Sequence, residues 1–255
     1  MSKPVNVVEL RQFYLSALGK IAARPLRRAL RDYWAEASQD HLVTLGFVLP
    51  YIESFPKNCV WDVSLMLARQ GAIYWPPEGH NRTVLTRGGL LPLPNGQTNR
   101  ILVIHALEYS QNPAELIKEL WRILVPGGRV LLVVPNRRSL WAQAEGTPFS
   151  SGQPYSLPQL YQLVTEQGFT LVKSSTSLFA PPLQSRFFQR LAPFFECVGK
   201  IFLPHFGGVL LLEVEKQIYA AIPEPVCPPW LANPVRVTSS TVTVRRPSTS
   251  VNFSE

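Results

Sequence analysis

The spacing of apolar positions sorts the chain into helical and extended stretches. Val7, Leu10, Tyr14, Leu18 and Ile21, then Leu26, Leu30 and Tyr33, recur at three- and four-residue steps. This predicts a helical segment divided in two by Gly19 and Pro25. Short β-prone runs follow at 41–45, 59–66 and 83–85, and the Gly/Pro-rich residues 88–95 read as a loop. The middle carries the strongest signal. Residues 100–106 (RILVIHA) form an apolar run of the kind expected of a strand buried on both faces. Asn112-Pro113 then opens a helix, with asparagine as the cap and proline in the first turn. Leu116, Ile117, Leu120 and Leu124 give it an apolar stripe. Pro126-Gly127-Gly128 is expected to stop it, and residues 130–134 to form a second buried strand. Strand, helix and strand at these lengths make a βαβ unit with a right-handed crossover.

A helix at about 157–167, strands at 169–174 and 209–214, and a helix rich in phenylalanine between them extend the α/β pattern. The organisation this predicts is a pair of N-terminal helices (1–36) packed on an α/β domain (37–221). A Pro/Ser/Thr-rich tail (222–255) follows, expected to be disordered because no apolar face persists in it. There are no internal repeats.

Composition narrows the class. The chain has 255 residues, 46% apolar and 16% charged, which suits a globular domain with a full core. Three widely spaced cysteines (Cys59, Cys197, Cys227) offer no metal-ligand spacing and fit a reducing compartment. No stretch reaches the roughly 20 largely uncharged residues of a membrane span, so the cytoplasm is the expected location. The net charge is +8, and Arg24, Arg27, Arg28 and Arg31 share one face of a helix. That face reads either as a peripheral patch for phosphates or acidic lipids or as a solvated surface. No nucleic-acid motif accompanies it.

Residues 91–95 (LPLPN), the strand from Arg100, and residues 119–128 (ELWRILVPGG) together resemble class I S-adenosylmethionine-dependent methyltransferases. In those proteins an LPxxD loop precedes a buried strand, and the following helix closes on E-x-x-R-x-L-x-P-G-G. Residues 65–72 (LMLARQGA), Trp75-Pro76, Asn81-Arg82 and residues 134–141 (VPNRRSLW) are similar to a bacterial subgroup of the type 11 methyltransferases. The likeness runs from about Leu10 to Tyr219. It implies a Rossmann-like fold with a mostly parallel seven-stranded sheet, helices on both faces and an antiparallel last strand. It also implies S-adenosyl-L-methionine as cofactor. The resemblance puts the cofactor over Gly46, Phe47 and Tyr51 after the first strand and against Leu93, Pro94 and Asn95 before the fourth. His105 would lie at the cofactor's amino-acid end as the candidate catalytic residue.

The chain departs from that pattern at charged and glycine positions. Thr44 stands where a glycine is usual, and Asn95 and Asn99 stand where aspartates are usual. Leu90 occupies a place often held by an acid, and Asp62 lies early for the ribose-binding acid. Each change removes a charge-assisted contact or adds a side chain, so cofactor affinity should be weakened or lost. Glu108 could pair with His105. Asn136, Arg137 and Arg138 could meet an acidic acceptor, and Trp75, Trp141 and the phenylalanines at 187, 188, 194 and 195 could line an apolar pocket or form core. No G-x-S-x-G, H-E-x-x-H, Walker or G-x-G-x-x-G motif competes. Two functions stay open: a methyltransferase of unidentified acceptor, or a non-catalytic binding or scaffold protein that keeps the fold.

Overall fold

The computed structural model describes residues 5–34, 40–55, 60–76, 78–183, 185 and 190–217. The chain divides into two units, Met1–Ile218 and Tyr219–Glu255, and every described residue belongs to the first. The tail at 222–255 and its expected disorder lie outside the described residues. Helices α1 (Val7–Leu15) and α2 (Ala17–Tyr33) lead into β1 (His41–Gly46), a 3-10 segment (Leu49–Ser54), β2 (Val60–Leu67), β3 (Thr83–Thr86) and β4 (Thr98–Ile104). After them come α3 (Pro113–Ile123), β5 (Leu124–Pro135), α4 (Leu157–Glu166), β6 (Phe169–Ser177), α5 (Ala192–Phe202) and β7 (Val209–Lys216).

The strands form one sheet in the order β3-β2-β1-β4-β5-β7-β6. All neighbours are parallel except that β7 runs antiparallel between β5 and β6. The expected mostly parallel seven-stranded sheet with an antiparallel last strand is therefore present. Alternation along β4 explains its near-continuous apolar sequence. Leu102 and Ile104 enter the layer under α1 and α2, while Ile101 and Val103 enter the layer under α3 and α4. The N-terminal helices are thus one of the two covers of the sheet.

Two expected boundaries moved. The break between the first helices is at Ser16: its Oγ accepts from the Gly19 N–H at 3.1 Å, and its own N–H returns to Gln12 and Phe13. A serine that satisfies an orphan donor at a helix start decides the break. Pro25 lies inside α2, and Gly19 marks a close approach, since a Cβ there would stand 2.0 Å from the Phe13 carbonyl oxygen. Likewise Pro126-Gly127-Gly128 does not stop α3, which has already ended at Ile123. The tripeptide lies in β5, where the register against β4 slips and Gly127 takes φ +74°, as a bulge with a donorless proline requires. The end of α3 is satisfied by Lys216, whose Nζ donates to the Trp121 and Leu124 carbonyls at 2.8 and 2.7 Å.

Candidate functional site

Because β1 to β4 are parallel, Gly46, Leu67, Thr86 and Ile104 end at one edge of the sheet, where ligands of open α/β sheets bind. Two structures stand side by side along that edge: a buried polar cluster and an open cleft.

The cluster is centred on His105. The residue takes a left-handed φ of 55° directly after β4, which turns its ring back under α1. Tyr14 of α1 meets His105 Nε2 at 2.6 Å, Tyr51 donates to the Tyr14 hydroxyl at 2.8 Å, and Glu108 Oε1 lies 3.1 Å from His105 Nδ1. Gln70, after β2, donates to the His105 carbonyl at 2.7 Å. The directions agree with one another. Tyr51 donates to Tyr14, which leaves the Tyr14 proton for Nε2, and a neutral ring then carries its own proton on Nδ1, facing the carboxylate. Phe47 stacks on Tyr14 at 5.8 Å, and Phe149 lies 5.3 Å from the imidazole. All of these side chains are buried. Burial is the main cause that pushes Tyr14 and Tyr51 well above the usual phenol range, so both act as protonated donors at neutral pH. Burial, then the Glu108 charge, pushes Tyr155 up to about 12. Among the described residues Glu108 Oε2 is buried without a hydrogen-bond partner.

Gly46 belongs to the cluster for a reason internal to the fold. Its φ is +91°, and a Cβ would meet the Ile104 carbonyl oxygen at 2.1 Å and the Ala106 Cβ at 2.9 Å. The close approach it permits is that of β4. Thr44 fits without strain: it is fully buried and donates to Ser64 of the adjacent strand at 3.1 Å.

The cleft next to the cluster has a volume of about 400 Å³, within the usual range for small-molecule sites, roughly 300–1,000 Å³. Its walls come from the ends of β2 (Arg69), β3 (Thr86, Gly88, Gly89) and the start of α3 (Asn112, Glu115). Gly88 has φ +48°, and a Cβ on Gly88 or Gly89 would approach Leu67 or Glu115 to 3.4 Å. Arg69 donates to the Gln111 side-chain oxygen at 2.6 and 3.1 Å, with that amide turned to face it. The end of β2 therefore presents Arg69 and Gln70 where an acid for a ribose was expected. The side chain of Asp62 lies outside the described residues. Glu115 of α3 is the carboxylate among the lining residues.

The expected cofactor residues do not all converge. Gly46, Phe47, Tyr51 and His105 come together, but in the buried cluster. Leu93, Pro94 and Asn95 precede β4 and lie at its opposite end, about 20 Å away along a seven-residue strand. There Arg122 donates to the Leu93 carbonyl at 2.9 Å, to Asn95 Oδ1 at 2.6 Å and to the Leu91 carbonyl at 2.9 Å. Glu119 accepts from the Leu91 N–H at 3.0 Å and pairs with Arg122 at 2.9 Å. Partial burial opposes the charge on Glu119, but those hydrogen bonds hold its carboxyl below the usual range. The E-x-x-R motif is thus a clamp on the LPLPN loop, and Asn99, accepting from the His41 N–H at 3.3 Å, secures the same end of the sheet.

The other candidates divide between buried and exposed positions. Asn136 is buried and donates to the His205 and Gly207 carbonyls at 2.9 and 2.8 Å; Arg137 and Arg138 are exposed. Trp141 is core, its indole donating to the Ala180 carbonyl at 2.7 Å. Trp75 is half-buried. Phe194 is exposed and Phe195 half-buried, whereas Phe187 and Phe188 lie outside the described residues. Sequence reasoning missed Tyr14 and Gln70 as members of the site. Tyr14 was visible as part of a helical stripe; nothing in the spacing marked it as polar partner to a strand end.

The family model for a methyltransferase domain matches residues 28–174, more than half of the chain. Among solved structures, a SAM-dependent methyltransferase from Thermotoga maritima is 15% identical, covers 83% of this chain and 96% of its own, and superposes with a TM-score of 0.57. A SAM-dependent methyltransferase from Archaeoglobus fulgidus is 14% identical, covers 75% and 93%, and gives 0.50. At such identities the likeness is one of fold. An uncharacterised protein of Mycobacterium tuberculosis is 25% identical over 107 residues, and the match spans 39% of this chain and only 38% of that relative.

Proposed function

This chain belongs to the methyltransferase-domain family, and on that premise we propose that it transfers a methyl group from S-adenosylmethionine to an acceptor. In this reading the adenosyl part of the cofactor occupies the cleft between β2, β3 and α3. The observation that carries the reading is the cleft itself, a cavity of about 400 Å³ at the strand ends where this architecture takes ligands. Its residues fit such a group in kind. Gly88 and Gly89 offer backbone without side chains, and Gln111, Asn112 and Glu115 offer acceptors and donors for hydroxyls and a ring amine. Outside the cleft, in the neighbouring buried cluster, Glu108 Oε2 lacks a hydrogen-bond partner among the described residues and suits an ammonium. The cofactor supplies a methyl group already activated on a sulfonium, so the chain has to align the acceptor and exclude water.

Tyr14 and His105 do the local work. With the Tyr14 hydroxyl on Nε2, α1 covers the strand ends and keeps them dry. When α1 lifts, Nε2 becomes a proton acceptor for the attacking group, while Glu108 holds the ring through Nδ1. The acceptor is a small molecule or protein side chain. We read the compartment as the cytoplasm, in keeping with the sparse cysteines and with the lack, among the described residues, of a helix long and apolar enough to cross a membrane.

A second reading has its own observation. Arg69 in place of an acid, and the closed Tyr14–His105 bond, favour a binding protein that keeps the fold without the cofactor. Calorimetric titration with S-adenosylhomocysteine separates the two. Submillimolar binding that is abolished by Gly89→Trp, a variant that fills the cleft, supports the enzyme. Silence at millimolar ligand, with the protein folded, supports the second reading.

A further inference from the structure

We propose that the face formed by α5 and the exposed side of α2 docks on a bilayer surface rich in anionic phospholipids. The inference is independent of the cofactor reading and rests on a run of exposed apolar side chains at the end of α5 that adjoins, through Lys200 and Ile201, a groove walled by Arg24 and Arg28. Residues 200–206 are exposed throughout. Within them Ile201 and Phe202 are 67% and 73% exposed and Leu203 and Phe206 both 54%, with Phe194 60% exposed about two turns earlier on α5. Isolated exposed apolar residues are ordinary, but five large ones in one short stretch mark an interaction surface.

The neighbouring helix supplies the charge. Arg24, Arg28 and Arg31 are exposed along α2, while Arg27 turns inward to the Pro50 carbonyl. Arg24 and Arg28 face Lys200 of α5 across a groove of about 470 Å³, with Ile21, Pro25 and Ile201 among its walls. A second groove shares Lys200 and adds Lys173. Among the described residues, these two grooves are lined by two acids. Glu196 turns inward, its Oε1 accepting from the Phe179 and Ala180 N–H groups at 2.6 and 3.0 Å, and burial raises its pKa. Asp32 lines the second groove. The rim of the apolar patch is therefore mainly cationic.

Charge complementarity selects the occupant. Aromatic and aliphatic tips framed by arginine and lysine suit the headgroup boundary of an anionic bilayer, where the tips enter the acyl region and the cations meet phosphates. At eleven residues α5 is too short to span the hydrocarbon, so the contact is peripheral. A second copy of this chain would fit less well: a twofold interface on this face brings the cationic rims of both copies, Arg24, Arg28 and Lys200, into one contact.

The test is co-sedimentation of the full-length protein with vesicles of phosphatidylcholine alone and of phosphatidylcholine with about a quarter phosphatidylglycerol. Binding is expected to the second vesicle only, and to fall steeply at high salt. Arg24→Glu with Arg28→Glu should weaken it by about tenfold or more, and Phe202→Ser with Ile201→Ser should do so by a similar factor. Lys118→Glu with Arg11→Glu, the same charge change on α3 and α1, should leave most of it. Circular dichroism and melting confirm that each variant is folded. No binding to anionic vesicles, equal binding to both vesicles, or equal loss in the control variant overturns the proposal. So does a dimer that Phe202→Ser dissociates while vesicles stay unbound, since the face then belongs to a second copy.

Discussion

Gly46 and Gly88 both stand at the carboxyl edge of the sheet with positive φ, yet their surroundings are opposite. A Cβ on Gly46 would meet a backbone oxygen at 2.1 Å, whereas on Gly88 the nearest atom is a leucine methyl at 3.4 Å. The first glycine lets two strands of the protein touch each other. The second lies in the wall of the cleft, where a Cβ would make only ordinary contacts with Leu67 and Leu116. The same contrast holds for the polar groups around them. His105, Tyr14, Tyr51 and Gln70 are buried and hydrogen-bonded to one another, while Arg69, Arg87, Gln111 and Asn112 face the cleft from exposed positions. A glycine at a strand end thus has two meanings, and only the surrounding atoms tell them apart.

The largest expected effect breaks the closed region. Gly46→Val should cost about 3 kcal/mol or more, because a β-branched residue is strained at that φ and collides with β4. A large drop in melting temperature or insolubility is expected; a folded variant with an unchanged melt would contradict the packing described. Alkaline pH should come next. The folded-state pKa values of Tyr14 and Tyr51 are raised. Their contribution is complete below pH 10, and stability is lost as pH rises above 10, where the unfolded chain releases protons that the fold retains. The slope approaches about 1.4 kcal/mol per pH unit for each such tyrosine. Denaturant melts between pH 8 and 11, as working values of about that range, should show this fall, and Tyr51→Phe should flatten it.

What the sequence could tell followed from how local each cause was. Helix α3 was legible because its cap, its stripe and the flanking apolar strands are all encoded within thirty or so residues. The clamp of Arg122 and Glu119 on Leu91, Leu93 and Asn95 was not, since it joins the end of a helix to a loop before the preceding strand. The motif marked these residues as neighbours in sequence, and the fold joins them by hydrogen bonds that the spacing does not report. The Tyr14–His105 bond spans 91 residues of sequence, and no periodicity reports such a pairing. His105, Gly46 and Tyr51 come together at the strand ends; the spacing predicted helices packed on the domain, but not that α1 would bury these residues through Tyr14.

Two smaller effects sharpen the contrast. Tyr14→Phe removes one hydroxyl that serves both Tyr51 and His105, and should cost about 1–2 kcal/mol of stability in melts. If α1 covers the strand ends as a lid, the same variant should bind S-adenosylhomocysteine several-fold more tightly, because the open form is then better populated. Weaker binding would make Tyr14 a ligand contact instead. Asn95→Asp should be the mildest. Facing Arg122 at a partly exposed site, the new carboxylate should stabilise by up to about 1 kcal/mol and leave cofactor affinity unchanged. A change in affinity would mean that the loop senses the cofactor across the sheet.

The most direct measurement is photochemical cross-linking of methyl-labelled S-adenosylmethionine to the wild-type protein, followed by peptide mapping. Label is expected on the segments that wall the cleft, around Arg69, Gly88–Gly89 and Gln111, and excess S-adenosylhomocysteine should suppress it. Label on the Leu93–Asn95 loop at the far end of β4, or none above the level left by excess competitor, would contradict the placement of the cofactor in this cleft.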